Sequence, residues 1–158
     1  MKLKNVIIIL FFLLQVKNCF SQKEKEQLAF DYFMEKIFPK DYKGFTSKSV
    51  FFNGLSESKK DISGSFGKCF DEDFKEFFYD FKKVDINNKV KIKINNYRFS
   101  KRKKPKYFYM KIFRSVNYKG FDYIYISLYK KDKFYVDHYI VKIENKKIID
   151  HCYVNEIF

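Results

Sequence analysis

Phe121-Asp-Tyr-Ile-Tyr-Ile-Ser-Leu-Tyr129, Phe134-Tyr-Val-Asp-His-Tyr-Ile-Val-Lys-Ile143 and Ile148-Ile-Asp-His-Cys-Tyr-Val-Asn-Glu-Ile157 decide the fold of this chain. In the first stretch Ile124, Ile126 and Leu128 alternate with Tyr123, Tyr125 and Tyr129. A period of two places successive side chains on opposite sides of an extended strand. The breaks at Asn117–Gly120, Lys130–Lys133 and Glu144–Lys147 are short enough for hairpins.

Working outward, the same period appears at Phe108, Met110 and Ile112, and earlier at Val90, Ile92 and Ile94 against Lys89, Lys91 and Lys93. Upstream the period becomes helical. Leu28, Ala29, Tyr32, Phe33 and Ile37 share one stripe of a helix over 22–38, and Pro39 is expected to end it. Phe30, Met34 and Phe38 form a second stripe, so this helix is expected to be covered on more than one side. Phe70, Phe74, Phe77, Phe78 and Phe81 give a second helix over 71–82 a single apolar face, with acids in its first turn and lysines in its last. Ser49 to Phe52 reads as a short strand and 53–68 as a loop. Helices first and then about five strands predict an α+β domain, with N-terminal helices packed on a curved antiparallel meander. Its aliphatic face (Ile92, Ile94, Ile112, Ile124, Ile126, Leu128) should meet the second helix, and its tyrosine face should be half covered.

Residues 1–21 read as an address. Lys2 and Lys4 precede the apolar run Val6–Leu14, and Cys19-Phe20-Ser21 suits a signal peptidase, with the cut between Ser21 and Gln22. The run is too short to span a bilayer, and no later run is longer, so the processed chain is not expected to be an integral membrane protein. The expected organisation is a cleaved signal over 1–21 and one α+β domain over 22–158, exported to a periplasm or beyond. Lipidation at Cys19 is disfavoured, because Val16-Lys17-Asn18 makes a poor lipobox.

Losing Lys2, Lys4 and Lys17 lowers the formal charge from +14 to +11. The excess is lysine: only Arg98, Arg102 and Arg114 are arginines, whereas specific phosphate recognition favours the arginine fork. Export and lysine bias argue against nucleic acid as a partner. The densest basic run, Arg98 through Lys101, Arg102, Lys103, Lys104 and Lys106, reads as a solvated loop or as a patch for an anionic surface. Cys69 and Cys152 form an even pair in a disulfide-permissive compartment; a bridge and two separate buried thiols both remain open.

Tyr139-Ile-Val-Lys-Ile-Glu-Asn-Lys-Lys-Ile-Ile-Asp-His151 resembles the last hairpin of the NTF2-like superfamily, with Lys147-Ile-Ile-Asp-His151 in the place of its closing motif. Lys146 stands where that turn usually has glycine, and a second N-terminal helix is not evident at 41–48. The resemblance implies a curved sheet wrapped round a helix to leave a conical pocket. Its enzymes commonly use a pocket Asp–His pair, for which Asp137 or Asp150 would serve here; the superfamily also holds binding modules and scaffolds.

A tight turn at Asn145-Lys146 would pair Ile140 with His151 and His138 with Tyr153, placing both histidines on one face; a one-residue change would split them. No third ligand joins them as a metal site, and no cofactor motif stands. The sequence Gly64-Ser-Phe-Gly-Lys68 fails as a phosphate loop because Ile62 and Cys69 replace the required glycine and hydroxyl. No nucleophile motif is present. Three functions follow as expectations. The favoured one is a non-enzymatic binding domain holding an apolar or aromatic ligand at Tyr109, Tyr123, Tyr125 and Tyr129 with His138 and His151. The others are a small NTF2-like enzyme and a basic module for anionic envelope polymers or membrane.

Overall fold

The computed structural model describes residues 25–55, 69–70, 92–94, 97–101, 108–130 and 135–157. The expected signal and its Ser21/Gln22 cut, Cys19, the helix expected over 71–82, and Arg102, Lys103, Lys104 and Lys106 of the basic run lie outside these residues.

Helix α1 runs over 25–41 and lies on one face of a six-stranded sheet. Pro39 does not end it. Proline has no N–H to donate, and its ring crowds the carbonyl four residues earlier. The helix opens that place into a wide π turn, Phe33–Ile37, in which Phe38 N–H reaches back to the Phe33 carbonyl, and one further turn follows at Phe38–Asp41. Both apolar stripes are used: Ala29, Phe30, Phe33, Met34, Ile37 and Phe38 are all buried.

The strands are β1 (Val50–Leu55), β2 (Phe108–Ile112), β3 (Val116–Tyr118), β4 (Phe121–Lys130), β5 (Tyr135–Glu144) and β6 (Lys147–Ile157). They lie in the order β1-β2-β4-β5-β6, with β3 also paired to β4. The antiparallel meander is correct for β2 to β6 but not for the whole sheet, because β1 runs parallel to β2. The protein is therefore α+β with a mixed sheet. The alternation at Val90–Ile94 did not make the expected strand where it is described. Residues 92–94 belong to no regular element, and the Gln27 side chain does the work of a neighbouring strand: Lys93 N–H donates to Oε1 (2.7 Å) and Nε2 donates to the Lys93 carbonyl (3.0 Å). A side-chain amide thus meets both backbone groups of Lys93.

The aliphatic face, with Met110, Ile112, Ile124, Ile126 and Leu128, packs against α1; the helix expected over 71–82 to meet it lies outside the described residues. The opposite face holds Tyr123, Tyr125, Ile140 and Phe113 in a second core under Cys69 and Phe70. Because β4 is buried on both faces over Tyr123–Leu128, the tyrosine side is not left half wet at its centre.

Three local devices set the registers. Lys119 and Gly120 take φ of 49° and 85°, which suits the tight turn from β3 into β4. Between the pairs Ile112–Ile126 and Val116–Tyr123, the β2–β3 segment carries one residue more than β4, a bulge around Arg114 and Ser115. The last hairpin turns tightly at Asn145-Lys146 (φ 48° and 61°), as expected, with Glu144 opposite Lys147. One step later the register slips: Ile143 faces Ile148 but Lys142 faces Asp150, leaving Ile149 as an extra residue.

That slip corrects the expected pairing. Ile140 faces Cys152, His138 faces Val154 and Val141 faces His151, so the histidines lie on opposite faces. It also aims Cys152 at the second core, where it bonds Cys69 across a sequence separation of 83 with Cα atoms 5.8 Å apart. In the chain-entropy treatment a loop of that length stabilises by roughly 4–5 kcal/mol, with measured losses on removal of about 2–5 kcal/mol. We expect the Cys69→Ala/Cys152→Ala variant to unfold in urea with a stability lower by about 2–5 kcal/mol, and added reductant to produce the same loss in the unmodified protein only.

Candidate functional site

Where α1 ends, the sheet edge formed by β5 and β6 opens a cleft of about 820 Å³. Its centre is Asp137, which is 5 % exposed. Directly opposed pairs build it: Asp137 faces Asn155 and Tyr139 faces Tyr153 across β5 and β6. From the helix side Tyr42, the first residue after α1, stacks on Phe38 at 5.1 Å and points its hydroxyl inward.

The Asp137 carboxylate is well supplied with donors. Tyr42 Oη donates to Oδ2 at 2.6 Å, while Tyr153 Oη (2.8 Å) and Asn155 Nδ2 (2.7 Å) donate to Oδ1. Tyr139 Oη lies 3.0 Å from Tyr42 Oη and donates to Asp41 Oδ2 at 3.2 Å. A buried carboxylate is tolerated when its lone pairs are met this way, and charge-assisted bonds of this kind are among the stronger ones. The hub ties the end of α1 to the edge strand through a single residue. Leaving its donors without an acceptor is expected to cost about 3 kcal/mol or more.

The phenols hold their protons tightly. Burial, then the neighbouring Tyr139 and the bond to Asp137, push Tyr42 far above the usual phenol range, and burial does the same for Tyr139. For Tyr153, burial and the bond to Asp137 push the hydroxyl up to about 12. The raised phenols thus face Asp137 as neutral hydrogen-bond donors. The rest of the lining mixes aromatic and apolar groups (Phe45, Phe108, Tyr135, Ile157) with Lys40, Lys43 and Asp41.

The residues expected from sequence to form a ligand site fall elsewhere. Tyr123 and Tyr125 are fully buried, and Tyr109 is 6 % exposed and stacked on Tyr129 at 5.0 Å. His138 lies among them, with Nδ1 2.5 Å from Tyr125 Oη and Nε2 3.0 Å from Glu156. Both ring nitrogens are engaged and the side chain is 2 % exposed, so this Tyr–His–Glu chain presents no nitrogen to a ligand. His151 is exposed on the other face beside Tyr32, with Nδ1 3.1 Å from its hydroxyl. Asp150 accepts from the backbone N–H of His151. Neither acid expected for an Asp–His pair bonds to a histidine ring among the described residues. Arg98 and Lys101 of the basic run are exposed. Among the described residues, no group of three or more His, Cys, Asp or Glu could hold a metal ion, and no helix is long and apolar enough to cross a membrane.

A second buried acid sits at the other end of α1. Glu26 is fully buried, its Oε1 accepts from the Ser115 N–H freed by the bulge (2.8 Å), and its Oε2 has no partner among the described residues. Burial raises its pKa, opposed by the Ser115 bonds and by Arg114. A carboxyl whose folded pKa is raised stabilises the fold below the ordinary carboxyl range, and that contribution is lost as pH rises through the folded value.

The chain matches no protein-family model, no curated protein and no solved structure. The functional reading therefore rests on the geometry of the site and on the sequence.

Two titration outcomes follow. Glu26→Gln keeps the acceptor for Ser115 but cannot ionise, so its stability relative to the unmodified protein is expected to rise from acid to neutral pH; urea unfolding at both pH values checks the sign. A raised phenol contributes stability that is complete below its ordinary pKa and is lost as pH rises through the folded value, a window from about 10 to about 12 for Tyr153. Unfolding curves across that window should fall less steeply for Tyr153→Phe, which has no proton to lose there.

Proposed function

We propose that this protein is an exported, non-enzymatic binding domain that holds its ligand in the cleft beside Asp137. The observation that carries the reading is a concentration of exposed apolar surface. Among the described residues five large hydrophobics are exposed, and three of them, Phe45, Tyr153 and Ile157, line this one cleft. Exposed apolar groups that converge around fixed polar groups are the usual make-up of a ligand site. The export half of the reading rests on the pattern of 1–21. The NTF2-like resemblance rests on the Lys147–His151 hairpin of the sequence alone.

The enzyme reading is weaker on chemical grounds. Proton transfer needs a titratable group within reach of substrate. His138 is sealed in the second core, and Asp137 already accepts three hydrogen bonds. The arrangement favours holding a molecule over transforming it.

Ligand-observed NMR of a fragment library tests the location. Hits on the unmodified protein should be lost with Tyr153→Ala and retained with Tyr129→Ala, both variants first shown to unfold cooperatively in urea. The reverse pattern would move the site to the outer tyrosines and overturn the cleft.

A further inference from the structure

The geometry points to a neutral oligosaccharide as the occupant of this cleft; the inference rests on the binding reading above and names its ligand class. The first ground is the Tyr153 ring. It packs against Tyr139 on one side, with centroids 5.0 Å apart and planes at 37°, and its hydroxyl is locked to Asp137 at 2.8 Å. Yet the residue remains 51 % exposed. An aromatic fixed at its tip and backed by a second ring presents its free face as a rigid platform, with little rotamer entropy left to lose on binding. The C–H groups on one face of a pyranose make their best contact with such a platform.

The second ground is the charge balance. Lys40 and Lys43 are matched in number by Asp41 and Asp137, so the charges of the lining itself sum to zero and favour neither a cation nor an anion by direct contact. The third is the supply of hydrogen-bonding groups. Among the described residues, Asn155 donates its amide N–H to Asp137 with its carbonyl oxygen left for a ligand, and Asp41 receives Tyr139 on Oδ2 with Oδ1 left. The Lys40 and Lys43 ammonium groups supply donors at the rim. Donors and acceptors thus surround an aromatic floor, and a sugar hydroxyl is both at once. A purely apolar ligand would strip water from these groups without replacing it. A carboxylate amphiphile would meet two carboxylates as well as two ammonium groups, with no net gain from the lining charges.

The experiment is isothermal titration calorimetry with saturation-transfer NMR on the full domain, using cellotriose, maltotriose and chitotriose as neutral probes. A uronic-acid trisaccharide and decanoate are the charged comparisons. We expect at least one neutral trisaccharide to bind saturably, with affinity unchanged by salt and saturation concentrated on one face of one pyranose. Tyr153→Ala should weaken it about ten-fold or more, while Tyr153→Phe, which keeps the ring and the fold, should weaken it less. Binding of only the charged probes, weakened by salt, overturns the saccharide class and leaves the cleft standing. No neutral probe binding also overturns the class. A neutral probe that binds Tyr153→Ala normally but not Tyr129→Ala overturns the cleft itself.

Discussion

One extra residue, Ile149, sets which way every later side chain of β6 points. Without the slip between Lys142 and Ile143, the face of β6 that meets Asp137 and Tyr139 would carry Cys152, Val154 and Glu156. With it, Tyr153 and Asn155 reach Asp137, Cys152 reaches Cys69, and Glu156 reaches His138. The hub, the disulfide and the buried Tyr–His–Glu chain all depend on this local insertion. A bulge costs one unpaired backbone position, and here it coordinates three separate tertiary contacts.

The polar interior follows a consistent logic. Asp137 is buried because three donors meet it, and His138 because two partners do. Glu26 departs from the pattern: one oxygen is satisfied by the bulge at Ser115, and the other has no partner among the described residues. An acid left half satisfied in a core destabilises its charged form. The two ends of α1 therefore differ in kind. Its start holds a buried acid that favours its neutral form, and its end feeds a tyrosine into a fully bonded carboxylate.

Much of the architecture was legible in the sequence. The alternation in 121–129, 134–143 and 148–157 located β4, β5 and β6 to within a few residues, because period two is imposed by strand geometry itself. The two stripes of α1 predicted its burial on more than one side. Pro39 misled, since its clash can be absorbed by a π turn that leaves no mark in composition. The alternation around Val90–Ile94 misled at its described residues, 92–94, because a period of two says nothing of what pairs with the chain. The parallel pairing of β1 with β2 was invisible for the same reason: partner choice is nonlocal.

The candidate site was less legible. Tyrosine density drew attention to Tyr109, Tyr123, Tyr125 and Tyr129, but a sheet buried on both faces turns Tyr123 and Tyr125 into core. Asp137 stood out in the sequence only as the neighbour of His138. The signal that would have found the hub is the pair Asp137/Tyr139 set against Tyr153/Asn155, two acid-or-amide and tyrosine alternations that coincide only once the bulge is counted. The most direct measurement of the central claim is a map of ring-carbon chemical shifts in isotope-labelled tyrosine as a trisaccharide that binds is titrated in. The account predicts that Tyr42, Tyr135 and Tyr153 move while Tyr109, Tyr123, Tyr125 and Tyr129 stay fixed. Shifts confined to the second set would contradict it.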